Sequence, residues 1–178
     1  MPRIAYRNEE DPEIAALVAA IRARRKGRLL NLDRMLLHSP PFAQGWNALL
    51  GAVRRDLAMN PRLRELVICA VARLNDAPYE WHQHAPEFLA AGGAQAQLDA
   101  LADVDAAATD EARFDETERS AIVLAIEMTR HVKVADATLE RARRHLGNSQ
   151  LTELVGTIAC YNMVSRYLVA LGVDEKGE

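Results

Sequence analysis

The sequence predicts an all-α fold, a single-domain helical bundle of about eight helices spanning residues 1–178. Two observations carry this. The apolar fraction is 49% and the aromatic fraction only 5%, and Ala and Leu set among Glu and Arg favour helix over sheet. Apolar residues also recur at helical spacing between Asp, Ser or Asn caps and Gly stops, and no segment of useful length alternates with a strand's period.

The elements follow in order. Asp11-Pro12-Glu13 opens the first helix as cap, proline and acid. It ends near Gly27 after Arg22, Arg24, Arg25 and Lys26, a basic cluster expected to be a solvated helix end suited to the dipole. Ser39-Pro40-Pro41 caps the second helix, whose apolar stripe is Phe42, Trp46, Leu49, Leu50 and Val53. Asn60-Pro61 starts the third, with Leu63, Leu66, Val67, Ala70, Val71 and Leu74 on its buried side. The turn Asn75-Asp76-Ala77-Pro78 leads into the fourth, which stops at Gly92-Gly93. Inside it Pro86 removes the backbone hydrogen bond to His82, and a kink is expected there. A short helix over residues 95–101 precedes an acidic loop. Further helices begin at Asp115-Glu116-Thr117 and at Asp136, and the last runs from about Ser149 to Leu171. Asn60, Leu63, Glu65, Leu66 and Val67 recur in spacing as Asn148, Leu151, Glu153, Leu154 and Val155, which suggests two related helical halves.

Charge and composition exclude several classes. A net charge of −3 gives no global basic surface for nucleic acid or an anionic membrane. The apolar stretches are interrupted by charge, and none is expected to reach the roughly 20 residues of a bilayer span. The N-terminus lacks the charged-then-apolar order of a signal peptide, so a cytoplasmic protein is expected. Cys69 and Cys160 each sit in an apolar helical pattern and read as reduced, buried thiols.

The segment from Glu65 to His84 carries the chemistry. Glu80 and His84 are spaced i, i+4, which puts a carboxylate and an imidazole on one helix face. Glu65 lies on the preceding helix, so two carboxylates and one imidazole can converge where burial tunes their proton affinities. His84 is the candidate proton donor, Glu80 the group that holds its tautomer, and Glu65 a relay. His82 and His84 point nearly opposite ways on a helix, so no metal site is expected from them.

The run Leu63-Arg64-Glu65-Leu66-Val67-Ile68, then Tyr79-Glu80-Trp81-x-x-His84 and Ala90-Ala91-Gly92, resembles the carboxymuconolactone decarboxylase family. The likeness continues through Asp115-Glu116-Thr117-Glu118 and Tyr161-Asn162-x-Val164-Ser165-Arg166, over roughly residues 30 to 173. That family shares its all-α fold with the alkyl hydroperoxidase D-like proteins, whose pattern is Glu, C-x-x-C, His. Carried over position by position, the acid falls on Glu65, the cysteines on Ala77 and Glu80, and the histidine on His84. Thiol peroxidase chemistry needs a nucleophilic thiolate and a resolving partner, and neither position supplies one.

The resemblance implies a cofactor-independent, lyase-type acid/base reaction on a small carboxylated or lactone substrate. In the family, that reaction is loss of CO₂ from 4-carboxymuconolactone in aromatic catabolism. It implies Glu65, Glu80 and His84 as catalytic residues, with Tyr79, Trp81, Tyr161, Asn162 and Arg166 lining a substrate site. Arg73 is a further candidate for a substrate carboxylate. No cofactor or metal is implied, and self-association as a dimer, trimer or hexamer is expected, without nucleic-acid or membrane partners. The alternatives are a non-catalytic small-molecule-binding oligomer and, disfavoured by Ala77 and Glu80, a hydroperoxide reductase.

Overall fold

Ten α-helices and one 3₁₀ turn make up the regular structure in the computed structural model, which describes residues 1–178, and there is no strand. Two helices more than the sequence suggests are present because α2 and α7 are only six and four residues long, too short to show a helical period. The chain divides into two compact units, residues 1–56 with 168–178 and residues 57–167.

In the first unit, Asp11 accepts from the Glu13 N–H and starts the 3₁₀ turn Pro12–Ile14. There follow α1 (Ala15–Arg24), α2 (Asn31–Leu36) and α3 (Pro40–Arg55). Ile14, Val18, Ile21 and Leu37 form the core with Leu17 and Leu29 packed on them. Asn31 Nδ2 donates to the carbonyls of Asp174 and Lys176, which fixes the C-terminal segment. Ser39 sits at the N-cap of α3, but its side chain makes no cap hydrogen bond. The α3 stripe is only partly buried. Trp46, Leu50 and Val53 are in the core, whereas Phe42 and Leu49 are nearly half exposed, because they lie toward the edge of the stripe.

The basic end of α1 is only in part the solvated cluster the sequence suggests: Arg22 and Lys26 are exposed, whereas Arg24 and Arg25 turn inward. Arg25 Nε lies 2.7 Å from Asp33 Oδ2 and Arg24 Nη2 3.8 Å from Oδ1, with Asp33 almost fully buried. Arg24 also donates to Asn47 Oδ1. Burial above all, then Arg25, with Arg54 and Arg55 adding to it, pushes the Arg24 guanidinium down to about 10 against the pull of Asp33. Cations that can reach a buried carboxylate turn inward, and the helix dipole is secondary.

The second unit holds α4 (Pro61–Leu74), α5 (Pro78–Ala90), α6 (Gln95–Ala100), α7 (Val104–Ala107), α8 (Glu116–Arg130), α9 (Asp136–Arg143) and α10 (Asn148–Leu171, to Tyr167 in this unit). Asn60 caps α4 through the Arg62 N–H. Asp115 and Glu118 form a reciprocal capping box on α8. α4 packs on α5 and α8 and is buried nearly all round, from Leu66 through Ala72. Each fully buried aliphatic side chain contributes about 1.5–3 kcal/mol, so this helix is the unit's central strut. Leu74, expected in the core, is only half-buried at the helix end.

α5 ends as expected. Gly92 has φ +92°, and a Cβ on Gly93 would lie 2.2 Å from the Phe88 ring, so neither position tolerates a side chain without strain. α10 has 24 residues and is long and apolar enough to cross a membrane by length and composition alone, which the charge-punctuated reading overlooked. Leu154, Ile158, Tyr161 and Val164 bury one of its faces, along with the polar Thr157, Asn162 and Ser165. Both copies of the suggested repeat fall in the second unit. Glu153, the counterpart of Glu65, accepts from the Ala58 and Met59 N–H groups and so serves as a loop anchor.

Candidate active site

Three residues joining α4 to α5 set the site. The Asn75–Ala77 turn, with Asp76 at φ +47°, lets α5 fold back on α4. Glu65, Glu80 and His84 are then buried together in the second unit, at 4%, 1% and 6% exposure. His84 Nδ1 lies 2.7 Å from Glu65 Oε2, and Arg64 Nε donates to Glu65 Oε1 at 3.1 Å. The carboxylate that orients the imidazole at Nδ1 is therefore Glu65, reached across the helix pair, in the role the i, i+4 spacing gave to Glu80. Burial works to raise the Glu65 proton affinity. The His84 hydrogen bond and charge, with Arg64, outweigh it, so this carboxyl sits below its ordinary value.

α10 closes the site from a third side. The Tyr161 ring meets the His84 ring edge-on, centroids 4.9 Å apart. Ser165 Oγ lies 2.8 Å from Glu80 Oε1 and 2.8 Å from the Tyr161 carbonyl oxygen. The sequence reading gave Ser165 no role; the signal is its position one helical turn past Tyr161, on the same face. Asn162 ties helices together. Its Nδ2 donates to Thr129 Oγ1 on α8 and to the Ile158 carbonyl, and its Oδ1 accepts from Asn75 Nδ2 in the α4–α5 turn.

The other candidates differ in burial. Arg166 is exposed and donates to Asn162 Oδ1 at 2.6 Å and to its carbonyl at 3.0 Å. Tyr79 is buried. Trp81 is half-buried with the Arg73 guanidinium 3.6 Å from its ring centroid, a cation–π stack. Arg73, Asp76, Ala77, Trp81, Asp105 and Arg130 line a groove of about 480 Å³ at the start of α5. His82, His131 and His145 are exposed, and no three His, Cys, Asp or Glu side chains are arranged to hold a metal ion.

Cys69 and Cys160 are free thiols. Burial, reinforced by the Glu65 charge and opposed by Arg73, pushes the Cys69 thiol far up; burial raises Cys160 as well. The thiolate is the reactive form. In a thiol titration of the native protein Cys69 is expected to stay unreacted and Cys160 to react slowly, with both modified after denaturation. Fast native labelling of Cys69 would contradict this geometry.

A pairing of Glu65 with His84, and Glu80 where a redox pair would hold its second sulfur, is the arrangement to compare with known proteins. Residues 40–121 match the carboxymuconolactone decarboxylase family. The matched stretch contains Glu65, Ala77, Glu80 and His84 but stops before Tyr161 and Ser165, so the family signature covers two of the site's three walls. No curated protein matches the chain significantly in sequence.

Among solved structures, a peroxidase-related protein from Silicibacter sp. TM1040 aligns at TM-score 0.82 and 15% identity, covering 99% of this chain and 92% of that one. An alkylhydroperoxidase AhpD core protein from Ralstonia eutropha JMP134 aligns at 0.79 and 19%, covering 99% and 93%. The debrominase Bmp8 in complex with 2,3,4-tribromopyrrole aligns at 0.76 and 13%, covering 99% and 91%. At these identities the likeness establishes the AhpD-like all-α fold; the family match over residues 40–121 bears out the resemblance read from Leu63 to Gly92 and through Asp115–Glu118.

Proposed function

We propose that this carboxymuconolactone decarboxylase-like protein is a cofactor-independent, lyase-type enzyme acting by acid/base chemistry on a small carboxylated or lactone substrate. The observation that supports it is the buried Glu65–His84 pair at 2.7 Å beside Glu80. Loss of CO₂ from a carbon conjugated to a carbonyl leaves an enolate-like charge, and the site must return a proton to carbon. A Glu65 carboxylate on Nδ1 holds that nitrogen's hydrogen, leaving Nε2 to give and take the proton. A well-placed acid/base group contributes about 10²–10⁴-fold, so substrate binding must supply the rest. The exposed Arg73 and Arg166 are the candidates for a substrate carboxylate, the first lining the groove at the start of α5. We place this activity in the cytoplasm, in a homo-oligomer.

A retired binding protein of the same fold would have little reason to keep Glu80 at 1% exposure and bonded to Ser165, since an unneeded buried carboxyl is costly. The thiol route is disfavoured by Ala77 and by the unreactive setting of Cys69. The test is a paired assay on purified protein: CO₂ release from 4-carboxymuconolactone and thiol-dependent peroxide consumption. The expected result is CO₂ release that vanishes in His84→Ala without loss of helical signal. Unchanged release in His84→Ala, or peroxide consumption alone, would sink the reading.

A further inference from the structure

We propose that Glu80 rests as a neutral carboxylic acid that donates its proton to Ser165 Oγ, while Ser165 donates its own hydrogen to the Tyr161 carbonyl. The argument is a hydrogen count. A serine hydroxyl carries one hydrogen and two lone pairs. Ser165 Oγ stands 2.8 Å from two oxygens, the Tyr161 carbonyl one turn back and Glu80 Oε1 on α5. The carbonyl can only accept, and a serine inside a helix characteristically gives its hydrogen to the i−4 carbonyl. Its lone pairs then face Glu80, and a contact of hydrogen-bond length there needs a hydrogen from the carboxyl.

The Glu65 charge works toward the same state. α4 presents Glu65 and Cys69 to this cluster, with Arg73 nearer its end, α5 presents His84, and α10 presents the uncharged Ser165 and Tyr161. The Glu65 carboxylate is already matched by Arg64 at 3.1 Å. A second ionised carboxyl in the same buried cluster would be repelled by the first and would lack water.

This assigns Ser165 as a positioning residue with two settings. When Glu80 loses its O–H proton, its two oxygens can only accept. The hydroxyl of Ser165 then rotates from the Tyr161 carbonyl to the new carboxylate at the same 2.8 Å. One rotor thus stabilises both protonation states of the acid. The resting place of the proton is independent of the reaction; only its use in turnover rests on the decarboxylase-like reading.

Infrared spectroscopy of the whole protein at neutral pH tests this, since a protonated carboxyl has a C=O stretch well separated from that of a carboxylate. The wild type is expected to show that band, Glu80→Gln to lack it, and Ser165→Ala to keep it at higher frequency because its acceptor is gone. No band in the wild type, or a band unmoved by Ser165→Ala, overturns the proposal. Should Glu80→Gln fail to fold, the shift in Ser165→Ala, with its recovery in Ser165→Thr, decides alone. Band present without CO₂ release from 4-carboxymuconolactone would retain the proton and discard the reaction; CO₂ release without the band would do the reverse.

Discussion

Glu65→Gln is expected to lower turnover by about 10²–10⁴-fold while the helices remain folded. The amide matches the carboxylate in shape but offers His84 Nδ1 a choice between a carbonyl and an N–H, so the imidazole is no longer held to one tautomer. It also removes the negative charge that stabilises a protonated ring and that Arg64 Nε engages at 3.1 Å. The effect should fall on kcat more than on KM, because Glu65 acts through His84 and touches the substrate through nothing else. The same substitution has a pH signature. The Glu65 carboxyl lies below its ordinary value of 4.5, burial opposing and His84 and Arg64 prevailing. A depressed carboxyl contributes stability above the unfolded-state value, and the contribution is lost as pH falls through the folded-state value. Wild type should therefore exceed Glu65→Gln in melting temperature at neutral pH, with the gap closing below about pH 4.5. A gap that widens toward acid, or turnover within threefold of wild type, would show that Glu65 is a passive buried acid.

What the sequence made legible was whatever depends on local spacing. The Asp11, Asn60 and Asp115 caps, the Gly92-Gly93 stop and the long helices all follow from residues within a few positions of one another. Glu65, Glu80 and His84 were legible as a set because two lie on one helix and the third on its neighbour. Their division of labour was not. The partner of His84 Nδ1 is decided by how α5 lies against α4, which no i, i+4 rule contains. Ser165 was invisible for the same reason, since its partner Glu80 is 85 positions away in sequence. Arg24 and Arg25 show the converse failure: a helix-end rule was locally sound and was overridden by a buried carboxylate from α2.

That override carries the largest stability effect expected of any single substitution in the first unit. Asp33→Ala should cost about 3–5 kcal/mol, a fall in melting temperature of roughly 6–20 °C for a chain of this size. Asp33 Oδ2 takes Arg25 Nε at 2.7 Å and the Leu30 N–H at 3.0 Å, while Oδ1 faces Arg24 at 3.8 Å. Its removal leaves the guanidinium of Arg24, whose side chain is 9% exposed, next to that of Arg25 at 10% with no anion between them. It also removes the acceptor that starts α2. Breaking a buried pair from one side is costly because the remaining charge stays desolvated, whereas replacing both sides with apolar groups is often neutral. The double substitution Asp33→Leu with Arg25→Met should therefore recover part of what Asp33→Ala loses, and Asp33→Asn, which keeps the cap acceptor, should fall between them. If Asp33→Ala loses under about 1 kcal/mol, the arginines reach water by swinging their long side chains outward. In that outcome the cluster is the solvated helix end its sequence suggests, and Asp33 serves α2 only as a cap.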